Sequence, residues 1–147
     1  MKFTFVYIIL ASLVSMCGHD TDLESQHTEV VQEEAQVLSL NGTERWQADE
    51  PTNWHVQQLQ ALVKEYEQQA ENKTAEAYND LGQAMQAELQ LMFKDCTMKG
   101  AAHDMLHTYL EPLMADVKLL AEKDEASAEA ALGRISTHLQ AYTTYFK

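Results

Sequence analysis

Glycine and proline are scarce in this sequence. Among 147 residues there are 5 Gly and 2 Pro. All-β sandwiches and barrels need many tight turns, which these two residue types usually supply. The shortage therefore argues against such folds, and the length is that of one domain with a short appendage.

Basic residues are also few. The chain has 10 Lys and Arg against 23 Asp and Glu, a formal net charge of -13. Binding to nucleic acid needs a basic surface that meets the phosphates, and an anionic membrane surface makes the same demand. We therefore expect no nucleic-acid partner, whereas cations suit the charge of this protein.

Sequence motifs of common enzymes are absent. There is no Ser-His-Asp order, no Gly-rich phosphate loop and no Cys-x-x-Cys-His haem attachment. The di-iron pattern of helical bundles needs Glu-x-x-His on two helices, which the sequence does not supply. The sequence therefore predicts a protein that is not an enzyme.

The chain begins with a hydrophobic stretch. Lys2 precedes an uncharged, mostly apolar run from Phe3 to Met16. A membrane-spanning helix takes roughly 20 apolar residues, so this shorter run is typical of a secretory signal. Its end, Val14-Ser15-Met16-Cys17-Gly18, resembles the bacterial lipoprotein signal, in which the cysteine becomes lipidated and N-terminal, although Met16 replaces the usual small residue.

We accordingly predict a lipoprotein signal peptide at residues 1–16 and a lipid on Cys17. The protein would then face the periplasm of a bacterial cell envelope and be held to the membrane by that anchor. A plain signal peptide cut nearby is the alternative. Residues 17–45 are predicted to be a tether, because the segment from Gly18 to Ala35 is acidic, lacks Lys and Arg and is too polar to form a core.

Residues 46–147 contain four stretches with apolar residues at helical spacing. The stripes are Val56, Leu59, Leu62, Val63 and Tyr66; Tyr78, Leu81, Met85, Leu89, Met92 and Cys96; Leu106, Leu110, Leu113, Val117 and Leu120; and Ala128, Leu132, Ile135, Leu139, Tyr142 and Phe146. Short connections, one of them at Gly100, make neighbouring helices antiparallel. The sequence predicts an all-α fold, an antiparallel up-down-up-down four-helix bundle that follows the signal peptide and the disordered acidic spacer.

One short segment concentrates metal-ligand side chains. His103 and His107 are four residues apart, so both imidazoles project from one face of a helix. Cys96 ends the preceding helix, and Met98 lies in the connection. Thiolate, thioether and imidazole select soft or borderline metals, so these four residues predict a site for copper, especially Cu(I), with zinc as the next candidate.

The predicted topology places further residues at the same end of the bundle. These are Trp46, Trp54, His55, Met92, His138, Tyr142 and Tyr145. His55 and His138 are the possible additional ligands. The candidate ligands also have an alternative interpretation without a metal. Cys96 continues an apolar stripe and would then be a core residue, and the helical histidines would lie on a solvated face.

Two stretches resemble sequences of a family of small bacterial periplasmic proteins and lipoproteins that has not been characterised. One is Leu40-Asn41-Gly42-Thr43-Glu44-Arg45-Trp46-Gln47-Ala48-Asp49-Glu50-Pro51-Thr52. The more specific one is Cys96-Thr97-Met98-Lys99-Gly100-Ala101-Ala102-His103-Asp104-Met105-Leu106-His107, followed by Tyr109-Leu110-Glu111-Pro112-Leu113. The resemblance implies an α-helical, exported protein connected with heavy-metal handling, and it implies no established activity.

Three functions follow as hypotheses. The first is sequestration or delivery of a transition metal, with a metal-efflux or other envelope protein as partner; its affinity should fall below about pH 6.5, because the ligands must lose their protons. The second is a haem-binding bundle with His55 and His138 as axial ligands, which a Soret band would reveal. The third is a non-catalytic interaction or scaffold lipoprotein, in which substitution of Cys96 or His103 alters stability alone.

Overall fold

The computed structural model describes residues 36–69, 73–122 and 124–147. They belong to one compact unit, Glu34–Lys147. The predicted signal peptide, the lipidation site Cys17 and the predicted tether up to residue 35 lie outside the described residues.

The described residues form an all-helical domain, as the sequence predicted. Its helices are α1 (Glu50–Gln68), α2 (Ala75–Asp95), α3 (Ala101–Leu120), α4 (Glu125–Gln140) and the short α5 (Tyr142–Tyr145). Throughout these ranges extended residues pair only as isolated bridges, with no strand. The four long helices pack as a helical bundle, and no described helix is long and apolar enough to cross a membrane.

Capping residues set where the helices begin. Asp49, Thr74 and Asp124 precede α1, α2 and α4, and each side chain accepts a hydrogen bond from a backbone amide of the first turn. Gly100 precedes α3 with φ of +64°, a conformation that residues with a Cβ adopt at a cost. The chain can therefore turn sharply between α2 and α3, directly beside the predicted metal ligands.

Most residues of the predicted stripes are buried in the core, which also includes Met105, Tyr109 and Ala131. A cluster of aromatic side chains lies at the end of the bundle near α5. Tyr109 contacts the rings of Tyr142 and Phe146 edge to face at centroid distances of 5.4 and 5.7 Å. Tyr142 and Phe146 stack at 5.0 Å. Such ring pairs add to the stabilisation that burial of large apolar surfaces supplies.

The segment before α1 pairs with the end of the chain. The Trp46 amide donates to the Tyr145 carbonyl at 2.7 Å, and the Lys147 amide donates to the Trp46 carbonyl at 2.9 Å. The Trp46 indole donates to the Ser39 carbonyl at 2.7 Å, and the Ser39 amide approaches the Met105 sulfur at 3.4 Å. The described part of the predicted tether therefore contacts the helical domain.

Candidate metal centre

Asp49 holds the connection between α2 and α3 against the start of α1. One carboxylate oxygen accepts from the Thr97 amide at 2.6 Å and from the Thr97 hydroxyl at 2.8 Å. The other accepts from the Thr52 amide at 2.9 Å and so caps α1. Burial opposes ionisation of Asp49, but the hydrogen bonds from Thr52 and Thr97 outweigh it and lower its pKa to about 2.

His103 and His107 form a close pair on α3. Their Nε2 atoms are 3.0 Å apart, and the rings meet edge to face at a centroid distance of 4.5 Å. The His103 side chain is half-buried, while His107 is exposed. The spacing of four residues on one helix produces this contact, as the sequence predicted. Two imidazole nitrogens therefore lie together at a place that an ion from solvent can reach.

Cys96 lies on the other side of His103. It follows the last residue of α2 as its C-cap, with its amide donating to the Met92 carbonyl at 2.9 Å. Its free, half-buried thiol has Sγ 3.8 Å from Nδ1 of His103. Because His107 faces Nε2 and Cys96 faces Nδ1, one ion cannot bind all three residues in this arrangement.

Met98 does not lie in this polar group, since its half-buried side chain packs against the apolar core. In the parts of the chain that the structure describes, no three His, Cys, Asp or Glu side chains form a group that could hold a metal ion. Three of the four sequence-predicted ligands thus meet as two pairs that share His103.

His55 lies in a separate polar contact. Its buried ring has Nδ1 2.7 Å from Glu88 Oε1 and Nε2 3.4 Å from Asp95 Oδ2. The neighbouring Trp54 is 51% exposed. Sequence reasoning missed both carboxylates, although their spacing of seven residues puts them on one face of α2. A ligand-binding role for His55 would require it to leave one of these partners.

His138 joins α4 to α3. Its Nε2 donates to the Tyr109 carbonyl at 2.8 Å, and the Tyr109 hydroxyl donates to the His138 carbonyl at 3.0 Å. The two rings stack at a centroid distance of 4.3 Å. Burial raises the pKa of the Tyr109 hydroxyl, which keeps it protonated as a donor. An axial haem bond at His138 Nε2 would have to replace this helix-to-helix hydrogen bond.

Two other residues predicted at this end of the bundle have structural contacts. The Tyr142 hydroxyl donates to Asn53 Oδ1 at 2.9 Å, and Met92 is fully buried. Together with the contacts of Asp49 and Trp46, this bond brings the start of α1 close to the ends of α2 and α5.

A shallow surface depression lies beside the histidine pair. It has a volume of about 530 Å³ and is lined by Gln36, Asp104, His107, Thr108, Glu111 and Met114. Its carboxylates give the surface next to His107 a negative potential, which favours a cation. The exposed ring of Phe93 lies nearly parallel to the His107 ring at a centroid distance of 6.4 Å.

Comparison of the chain with protein-family models, with curated proteins and with solved structures gives no match.

Proposed function

We propose that the protein binds one transition-metal ion, with copper preferred and zinc second, between His103 and His107. The observation that carries the proposal is the 3.0 Å separation of their Nε2 atoms. An ion about 2.05 Å from each nitrogen would be held at an N–metal–N angle of about 94°. That angle is near the right angle of tetragonal Cu(II) and smaller than the tetrahedral angle of zinc.

The surroundings of the pair support a cation. Asp104 and Glu111 line the same depression as His107, and the whole chain is strongly acidic. Solvent water can fill the remaining coordination positions because His107 is exposed. An ion held by two protein ligands on a surface exchanges readily, which suits delivery to an envelope partner better than long-term sequestration. We propose handling of the ion, by sequestration or delivery, as the role of the protein, and no catalytic step.

The proposal includes the setting of the site. We infer that the four long helices run alternately up and down, which is supported by the contacts that join the start of α1 to the ends of α2 and α5. We also propose that the signal at residues 1–16 exports the chain and that a lipid on Cys17 anchors it in the bacterial envelope. The uncharged, mostly apolar run from Phe3 to Met16, with Lys2 before it and Cys17 after it, supports this setting.

Copper titration of the full-length protein tests the site. The test variant is His103→Ala/His107→Ala, and the matched control is His19→Ala/His27→Ala, which removes two histidines far from this pair in sequence. Wild type and control should each hold one Cu(II) with similar affinity, and the test variant should bind it roughly 100-fold more weakly. Equal affinities of the test variant and wild type, with unchanged helical circular dichroism, would refute the proposal.

A further inference from the structure

His103 has a potential ligand at each of its ring nitrogens. Its Nε2 faces His107 Nε2 at 3.0 Å, and its Nδ1 faces Cys96 Sγ at 3.8 Å. The two pairs lie on different edges of the same imidazole. The site proposed above uses only the first pair, and the cysteine has no part in it.

The sulfur–nitrogen pair also has the dimensions of a metal position. An ion about 2.3 Å from Sγ of Cys96 and about 2.05 Å from Nδ1 of His103 would be held at an S–metal–N angle of about 122°. This wide angle suits a trigonal or tetrahedral ion, and thiolate is the protein ligand that favours Cu(I). The nitrogen–nitrogen pair, with its angle near 90°, suits Cu(II) instead.

A neutral imidazole cannot use both positions at once. One of its nitrogens carries a proton and the other a lone pair, so one side binds a metal while the other donates a hydrogen bond. With a metal at Nε2, the Nδ1 proton of His103 points to the Cys96 sulfur. With a metal at Nδ1, the Nε2 proton points to His107. Each state therefore leaves a satisfied hydrogen bond on the side without metal.

We propose, on the basis of the function above, that His103 is shared by two alternative copper positions and that the oxidation state of the ion selects between them. Cu(II) binds to His103 Nε2 and His107 Nε2, and Cu(I) binds to His103 Nδ1 and the Cys96 thiolate. Thiolate formation on Cu(I) binding releases the cysteine proton to solvent. The protein thereby accepts both forms of copper with a change of ligand at one imidazole.

Competition for copper against a chromophoric chelator tests this arrangement in the full-length protein. Both additions are made anaerobically to protein with freshly reduced Cys96: Cu(I) is added with a reductant, and Cu(II) is added after the reductant has been removed. Cys96→Ser should weaken Cu(I) binding by roughly tenfold or more and change Cu(II) binding by less than about threefold. His107→Ala should have the opposite pattern, and His103→Ala should weaken both.

X-ray absorption of the wild type supplies a measurement that needs no variant. Cu(I) protein should show a sulfur neighbour, and Cu(II) protein should show only nitrogen and oxygen neighbours. A sulfur neighbour in both states, or equal losses of Cu(I) affinity in Cys96→Ser and His107→Ala, would overturn the shared-imidazole arrangement. A third outcome is that His107→Ala loses Cu(II) while Cys96→Ser binds Cu(I) as wild type does. This outcome would overturn the shared-imidazole arrangement and leave the proposed function intact. Failure of the histidine pair to bind Cu(II) at all would overturn both.

Discussion

Asp49 and Thr97 join the first helix to the residues that carry the candidate ligands. The Asp49 carboxylate accepts hydrogen bonds from the amide and the hydroxyl of Thr97, at 2.6 and 2.8 Å. It also caps α1 by accepting a hydrogen bond from the Thr52 amide. Because Cys96 directly precedes Thr97, this contact fixes the backbone next to the thiol. The stability of α1 and the geometry of the thiol–imidazole pair therefore depend on the same side chain.

Two substitutions of Asp49 should lower the free energy of unfolding by different amounts. Asp49→Ala removes the cap and should cost about 1–2 kcal/mol in the free energy of unfolding. Asp49→Asn should cost less, since an amide oxygen still caps α1 while its NH₂ group faces the Thr97 donors. Urea unfolding measures both values.

Asp124→Ala, which removes the cap of α4, is the control for copper binding. It should lower stability without changing the affinity for Cu(I), whereas Asp49→Ala should reduce that affinity as well. Equal stabilities of wild type and Asp49→Ala would contradict this account.

The low pKa of Asp49 should make it a contributor to acid sensitivity. Its pKa falls from 3.8 to about 2 on folding, so the folded state favours the ionised form. This stabilisation is present in full about one pH unit or more above 3.8 and is lost as the pH falls through 3.8 towards 2. The difference in melting temperature between wild type and Asp49→Ala should therefore shrink from about pH 5 downwards. A difference that stays constant across this range would show that the charge of Asp49 does not stabilise the fold.

The reciprocal bonds of Tyr109 and His138 should be measurable separately from any metal chemistry. Tyr109→Phe removes one buried donor and should cost about 1 kcal/mol. Tyr145→Phe, at the same end of the protein but half-buried, should cost less. In nuclear magnetic resonance spectra of the wild type, the His138 Nε2 proton should be protected from exchange with solvent, because it is hydrogen-bonded to the Tyr109 carbonyl. A rapidly exchanging proton there would contradict the assignment of His138 as a link between helices.

Two glycines within helices should respond in opposite directions to replacement by alanine. A Cβ at Gly82 would lie 3.0 Å from Leu120 Cβ, so the Leu120 side chain or its helix α3 would have to shift by a few tenths of an ångström. A Cβ at Gly133 would meet no other heavy atom within 4 Å. Gly133→Ala should raise stability by roughly 0.5–1 kcal/mol through helix propensity, whereas Gly82→Ala should lower it by about 1–3 kcal/mol through overpacking. Thermal unfolding measures both, and a gain at Gly82 would show that this shift costs little.

Local signals account for most of what the sequence predicted correctly. The apolar stripes gave the four long helices, and the predicted connection at Gly100 lies directly before α3. The contact of His103 with His107 follows from helical spacing, which needs no knowledge of the tertiary structure.

The remaining features depend on how helices meet. Which nitrogen of His103 faces Cys96 depends on the turn at Gly100, and no periodicity contains that information. The carboxylates around His55 come from another helix, so their role required knowledge of the rotation of α2 against α1. The pairing of Trp46 with Phe146 joins residues far apart in sequence and has no local pattern.

Pulsed electron paramagnetic resonance of the Cu(II)-loaded full-length protein tests the central claim most directly, because it counts the imidazoles bound to copper. The account predicts two coordinated imidazoles in wild type, one in His107→Ala and none in His103→Ala/His107→Ala. His19→Ala/His27→Ala should retain two. An unchanged signal in the double variant at His103 and His107 would place the copper elsewhere and contradict the account.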